Sequence, residues 1–144
     1  MESVTSRVEP ISVNALLRGI DEGHIFAQGL DDIGRNVVSE DRGLFISSLM
    51  AGVPVAPIYF DGTTNPWQVL DGEKRLALIW GFAHDRFKVE VQTGSNRKES
   101  LFFKDLPQFF KRRFLMMKLF CYVINPPTSK ATIEIIKNRI KKSL

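Results

Sequence analysis

At 144 residues, with an ordinary apolar content of 44%, the chain has the length and composition of one domain with a real core, which excludes disorder over most of it. Its net charge of +4 permits a nucleotide or nucleic-acid partner without demanding one. One cysteine and two histidines exclude an intramolecular disulfide and a zinc-ligand set, and the lack of a long apolar run or signal-peptide pattern reads as a soluble cytoplasmic protein with no membrane partner.

The first ten residues, Met1 to Pro10, are polar and are expected to be loose. Ser12 is placed to cap a short helix through Asn14 and Arg18 that ends near Gly19 or Gly23. Ile25-Phe26-Ala27 is a candidate short strand, and Gly29 to Val38 is expected to be irregular. A helix is predicted from Ser39, its N-cap, with Glu40 and Asp41 favoured at the positive end of the dipole. Leu44, Phe45, Ser48 and Leu49 would form its inner face, Gly52 would end it, and Pro54 forbids continuation. Pro54 to Phe60 is extended and should pair antiparallel with the next strand across the Asp61 to Pro66 turn.

The stretch Trp67 to Phe82 organises the chain. Gln68-Val69-Leu70 suits a strand, Asp71-Gly72 a tight turn, and from Glu73 the helical spacing of Leu76, Ile79, Trp80 and Ala83 takes over. A glycine turn opening a helix presents unpaired N–H groups to an anion, and Arg75 in the first turn adds a two-pronged donor for phosphate. Asp71 and Glu73 are the candidate catalytic and magnesium-holding carboxylates. Gly72, Lys74, Arg75 and the isolated Arg35 are the candidate nucleotide ligands. The bland alternative is a turn whose Asp71 caps the helix or pairs with Arg75, its charges facing water.

Phe87 to Val91 alternates as a strand with one wet face, and Gly94 to Ser100 reads as a polar loop. Asp105 is expected to cap a helix whose Leu106, Phe109, Phe110, Phe114 and Met117 form a core stripe, with Lys111, Arg112 and Arg113 as phosphate contacts or a solvated face. Leu119 to Ile124 is a buried strand that should leave Cys121 inert. Ser129 would cap a last helix with Ile133, Ile136, Ile140 and Leu144 inward. Lys137, Arg139, Lys141 and Lys142 make its end basic, either for DNA or for the dipole alone.

The order of these pieces resembles a family. Arg35-Asn-Val-Val, then Leu44 to Phe60 with its Gly-Val-Pro-Val-Ala-Pro, then Val69-Leu-Asp-Gly-Glu-Lys-Arg-Leu76 resembles the N-terminal domain of GmrSD-like modification-dependent restriction enzymes. Leu106-Pro107 and Asn138-Arg139-Ile140 extend the likeness over residues 24–144. Gly72-Glu-Lys-Arg75 is also similar to the Gly-Glu-Arg-Arg that binds nucleotide phosphates in ParB. Gly34 stands where the family has Gln, Glu73 and Lys74 replace two Gln, and Lys141 replaces Asn. The family continues into an HNH nuclease domain, and neither His24 nor His84 lies in an HNH-like pattern.

The resemblance implies one α+β domain over residues 1–144, ParB/sulfiredoxin-like, a small mixed sheet with packed helices. The function it implies is nucleotide binding in DNA-related, restriction-linked processes, with a nucleoside triphosphate and Mg2+ as cofactors and weak NTPase or nuclease chemistry. The partners to be tested are the nucleotide, DNA, a host protein and a second copy of the chain as a homodimer, and the sequence leaves the oligomeric state open. Two other readings stand beside it: a non-enzymatic phage or plasmid protein that binds and inhibits a host protein, and a DNA-binding adaptor. If Phe87–Val91 and Leu119–Ile124 follow that fold, both join one sheet with Pro57–Phe60 and Gln68–Leu70.

Overall fold

The computed structural model describes residues 2–142. In chain order its elements are β1 (Ser6–Ser12), α1 (Val13–Asp21), β2 (Ile25–Phe26), α2 (Leu30–Arg35), α3 (Ser39–Ala51), β3 (Ile58–Asp61), β4 (Trp67–Asp71), α4 (Glu73–Ala83), β5 (Val89–Gly94), β6 (Arg97–Leu101), α5 (Gln108–Met116), β7 (Lys118–Ile124) and α6 (Lys130–Lys142). The architecture is α+β. A five-stranded mixed sheet runs in the order β1-β7-β3-β4-β2, and β5 and β6 form a separate hairpin.

Local chemistry explains most of the boundaries. The Ser12 hydroxyl accepts the Ala15 N–H at 3.0 Å and starts α1. At the end of α3 the Gly52 N–H donates to Leu49 and the Val53 N–H to Ser48, closing the last carbonyls as the Gly-Val-Pro sequence suggests. Strands β3 and β4 pair antiparallel across residues 62–66. Gly62 in that turn lies against β7: a Cβ there would come within 2.5 Å of Val123 Cγ1 and 2.7 Å of the Ile124 carbonyl oxygen. Ser129 caps α6, its hydroxyl accepting the Thr132 N–H. The Leu144 assigned to that helix's stripe lies outside the described residues.

Long-range pairing overturns several expectations. Residues 6–10 are not loose but part of β1, which pairs antiparallel with β7 over its whole length. Its side chains are mostly exposed, so burial left no trace in the sequence, and the main-chain ladder makes the strand. Gly29 to Val38 is not irregular: Gly29 opens α2, Asp31 and Asp32 occupy its first turn, and the helix packs on α4. Helix α3 begins after Val38 rather than Ser39, and buries Ile46, Leu49 and Met50 while Leu44 is 65% exposed.

The Phe87–Val91 strand does not join the main sheet. It forms β5, paired with β6, and the expected Gly94–Ser100 loop supplies most of that partner strand. Lys98 reaches diagonally across the hairpin to Glu90 at 3.7 Å. Asp105 closes a 3₁₀ turn instead of capping α5, which starts after Pro107. The Phe/Met stripe divides: Leu106 and Phe114 are buried, whereas Phe109 points to solvent.

One face of the five-stranded sheet carries the main core. Ile58, Phe60, Leu119, Cys121 and Val123 meet Leu16 of α1, Leu49 of α3, Leu76 and Phe82 of α4 and Phe114 of α5. Phe82 and Phe114 pack edge to face at 5.2 Å between centroids. The opposite face has a smaller cluster, Leu70, Ile124 and Ile133, with Tyr59, Ile136 and Ile140 half-buried around it. Helix α6 therefore covers part of this second face, while Phe120 and Tyr122 of β7 remain exposed.

Candidate functional site

The Asp71-Gly72 turn joins the end of β4 to the start of α4. Gly72 has φ +104°, a conformation that L side chains rarely adopt, and a Cβ there would press on Ile58 at 3.1 Å. No side chain caps α4, and its first backbone acceptor bond is Leu76 N–H to Gly72 carbonyl. The N–H groups of residues 73–75 are thus left at a positive helix end. Asp71 does not cap the helix. Its carboxylate faces Arg75 at 3.4 Å, the intramolecular pair that stood as the alternative to a phosphate site.

Arg75 also donates from Nη2 to the Pro57 carbonyl, and its side chain is 24% exposed. It braces the turn against the entry to β3. Its Nε is buried without an acceptor, and both of its contacts, to Pro57 and to Asp71, are made by Nη2. Lys74 is the exposed cation of the same helical turn. Glu73 is half-buried and lines a cavity of about 170 Å³ between β2, α2 and α4, away from the Asp71 carboxylate's contact with Arg75.

Arg35 ends α2, exposed, with its guanidinium held by Asp31 at 3.4 Å and by Asp32. Among the described residues its ion-pair partners are these two of its own helix, and not Asp71 or Glu73. The basic clusters separate in the same way. Lys111, Arg112 and Arg113 belong to α5, on the main-core face of the sheet, whereas Lys137, Arg139, Lys141 and Lys142 belong to α6 on the other. Arg113 is further committed, donating from Nε to the Met50 carbonyl at 3.0 Å. Among the described residues no group of three or more His, Cys, Asp or Glu is placed to hold a metal ion.

A wider cavity, of about 620 Å³, lies elsewhere, between α1 and the β3–β4 turn. Ile11, Ile25 and Trp67 supply apolar surface, and Arg18, Glu22 and His24 form its polar rim. Glu22 lies 3.4 Å from Arg18 and 3.5 Å from His24. The nearly buried Asp61 orders the turn by accepting the Thr63 N–H at 2.9 Å and the Thr63 hydroxyl at 2.6 Å. Sequence reasoning missed this cleft because its walls come from three separated segments. The polar Thr63-Thr64-Asn65 run next to Trp67 was the available signal.

Cys121 is fully buried, and burial first, then the Glu9 carboxylate across β1, pushes its thiol up to about 12. It is the inert core thiol that its strand suggested. No described helix is long and apolar enough to cross a membrane. Comparison of the chain with protein-family models, with curated proteins and with solved structures gives no match in any of the three.

Proposed function

We propose that this chain is a nucleotide-binding domain working in DNA-related processes, of ParB/sulfiredoxin-like fold, with the ligand's phosphates at the first turn of α4. The observation that supports this reading is the left-handed Gly72 opening an uncapped helix beside an exposed Lys74. Bare amides at a positive helix end and one mobile ammonium suit a phosphate. Arg75 acts here as the brace beneath the turn, because its guanidinium is already held by Pro57 and Asp71. Magnesium fits as the ion carried by the triphosphate, which needs only one or two protein carboxylates. Glu73 is then the carboxylate free to meet it, since Asp71 is engaged by Arg75.

A thermal-shift series with ATP, CTP, GTP and UTP, each with magnesium, tests the reading. At least one nucleotide should raise the melting temperature through binding linkage. Lys74→Ala should leave the free protein's melting temperature unchanged and shrink that shift. Phosphate release in the same samples separates a binder from a weak NTPase. A flat response to all four nucleotides ends the nucleotide reading and favours the one in which the chain binds a host protein.

A further inference from the structure

The uncovered half of the second sheet face has a chemical character of its own. Along β7 the side chains on this face are Lys118, Phe120, Tyr122 and Ile124, and along β1 they are Ser6, Val8, Pro10 and Ser12, set opposite one another by the strand register. None is a carboxylate. Phe120 is 63% and Val8 50% exposed. Tyr122 stacks on Tyr59 of β3, with centroids 5.0 Å apart and planes at 12°. Beyond Lys118, where α1 and α5 meet the ends of β1 and β7, lies a groove of about 470 Å³ whose polar lining is Asn14, Gln108, Arg112 and Lys118 and whose apolar lining is Leu115 and Met116. Tyr122 to Lys118 spans about 13 Å by strand rise.

We infer that this face binds single-stranded nucleic acid, with bases stacked on Phe120 and Tyr122 and the backbone led past Lys118 towards Arg112. Exposed aromatic rings on an open sheet are what an unpaired base can stack on, and stacking tolerates any base because each has a flat π face. A protein partner would be served by the apolar rings alone. The row's exposed ammonium, its lack of carboxylates and the guanidinium in the adjoining groove favour a polyanion. A duplex hides its base faces and gains nothing from the rings. The Gly72 turn contributes no residue to this surface, so the inference stands whether or not a mononucleotide binds there.

The test is fluorescence anisotropy of a labelled short oligothymidylate at low salt, against a duplex of the same length. The single strand should bind more tightly than the duplex. Phe120→Ala and Tyr122→Ala should each weaken single-strand binding about tenfold, in line with a lost stacking contact. Lys118→Gln should weaken it and flatten its salt dependence. Phe109→Ala, at an exposed ring on α5, should change nothing. Melting curves confirm that each variant is folded, and Lys118→Gln still decides the matter if an aromatic variant unfolds. No binding at low salt, equal binding of duplex and single strand, or binding unaffected by all three face variants overturns the inference. So does a dimer in sedimentation that Phe120→Ala dissolves, because the face then belongs to a second copy of the chain.

Discussion

The two faces of the five-stranded sheet are made by the same strands yet meet different fates. On one, Leu119, Cys121 and Val123 of β7 are sealed beneath α1, α3, α4 and α5. On the other, Phe120 and Tyr122 of the same strand face outward, and α6 reaches only as far as Ile124, Leu70 and Tyr59. Both sets are apolar, so hydrophobicity does not separate them. Period-two alternation says which side chains share a face. Which face is closed depends on where the helices return. An aromatic left outside a nearly complete core contributes little to folding and is available for contact.

Substitutions on the two faces should break apart in size. Phe60→Ala, at a fully buried ring, should cost about 3–5 kcal/mol in urea unfolding through lost transfer energy and a cavity. Arg75→Ala should cost about 1–2 kcal/mol in the same measurement, because the Pro57 carbonyl and Asp71 lose their shared donor.

Smaller is the effect at the N-terminus of α6, which holds the helix on the open face. Ser129→Ala should cost about 1 kcal/mol as a lost cap. The Ser129 hydroxyl, with Thr132 and the Ser129 N–H, lowers the Glu2 carboxyl from 4.5 to about 2. A depressed carboxyl contributes stability that is present above its unfolded pKa and lost as pH falls through its folded one. That contribution should therefore fade between about pH 4.5 and 2, and an NMR titration of Ser129→Ala should find Glu2 returned towards 4.5. Smallest of all, Phe120→Ala should change stability by about 0.5 kcal/mol or less. A cost near that of Phe60→Ala would mean that the second face is covered in solution.

Much of the fold was legible where the signal is local. The Ser12 and Ser129 caps, the end of α3 at Gly52, the β3–β4 pairing and the start of α4 after Gly72 were read from a few neighbouring residues. The candidate turn was legible as backbone. The partners of its arginines were not: Arg75 reaches the carbonyl of Pro57, 18 positions earlier, and Arg35 turns to Asp31 and Asp32. The cleft at Trp67 was invisible for the same reason, since α1 and the β3–β4 turn meet there only in space.

What the sequence by itself determined is the set of positions where the backbone has little choice. A left-handed glycine, a serine hydroxyl within reach of an N–H three residues on, and a proline after a helix act over one turn of chain, whatever lies beyond. The burial of β7 does not belong to this set: the apolar run Leu119 to Ile124 reads as wholly buried, yet Phe120 and Tyr122 lie outside. Only the tertiary structure decided that residues 6–10 form a strand, that β5 leaves the main sheet for β6, that Phe109 is outside and Phe114 inside, and that the two basic clusters lie on opposite faces. Each of these depends on partners far away in the chain. Main-chain ladders carry almost no side-chain signature, and a helix face is buried only if another element arrives to cover it.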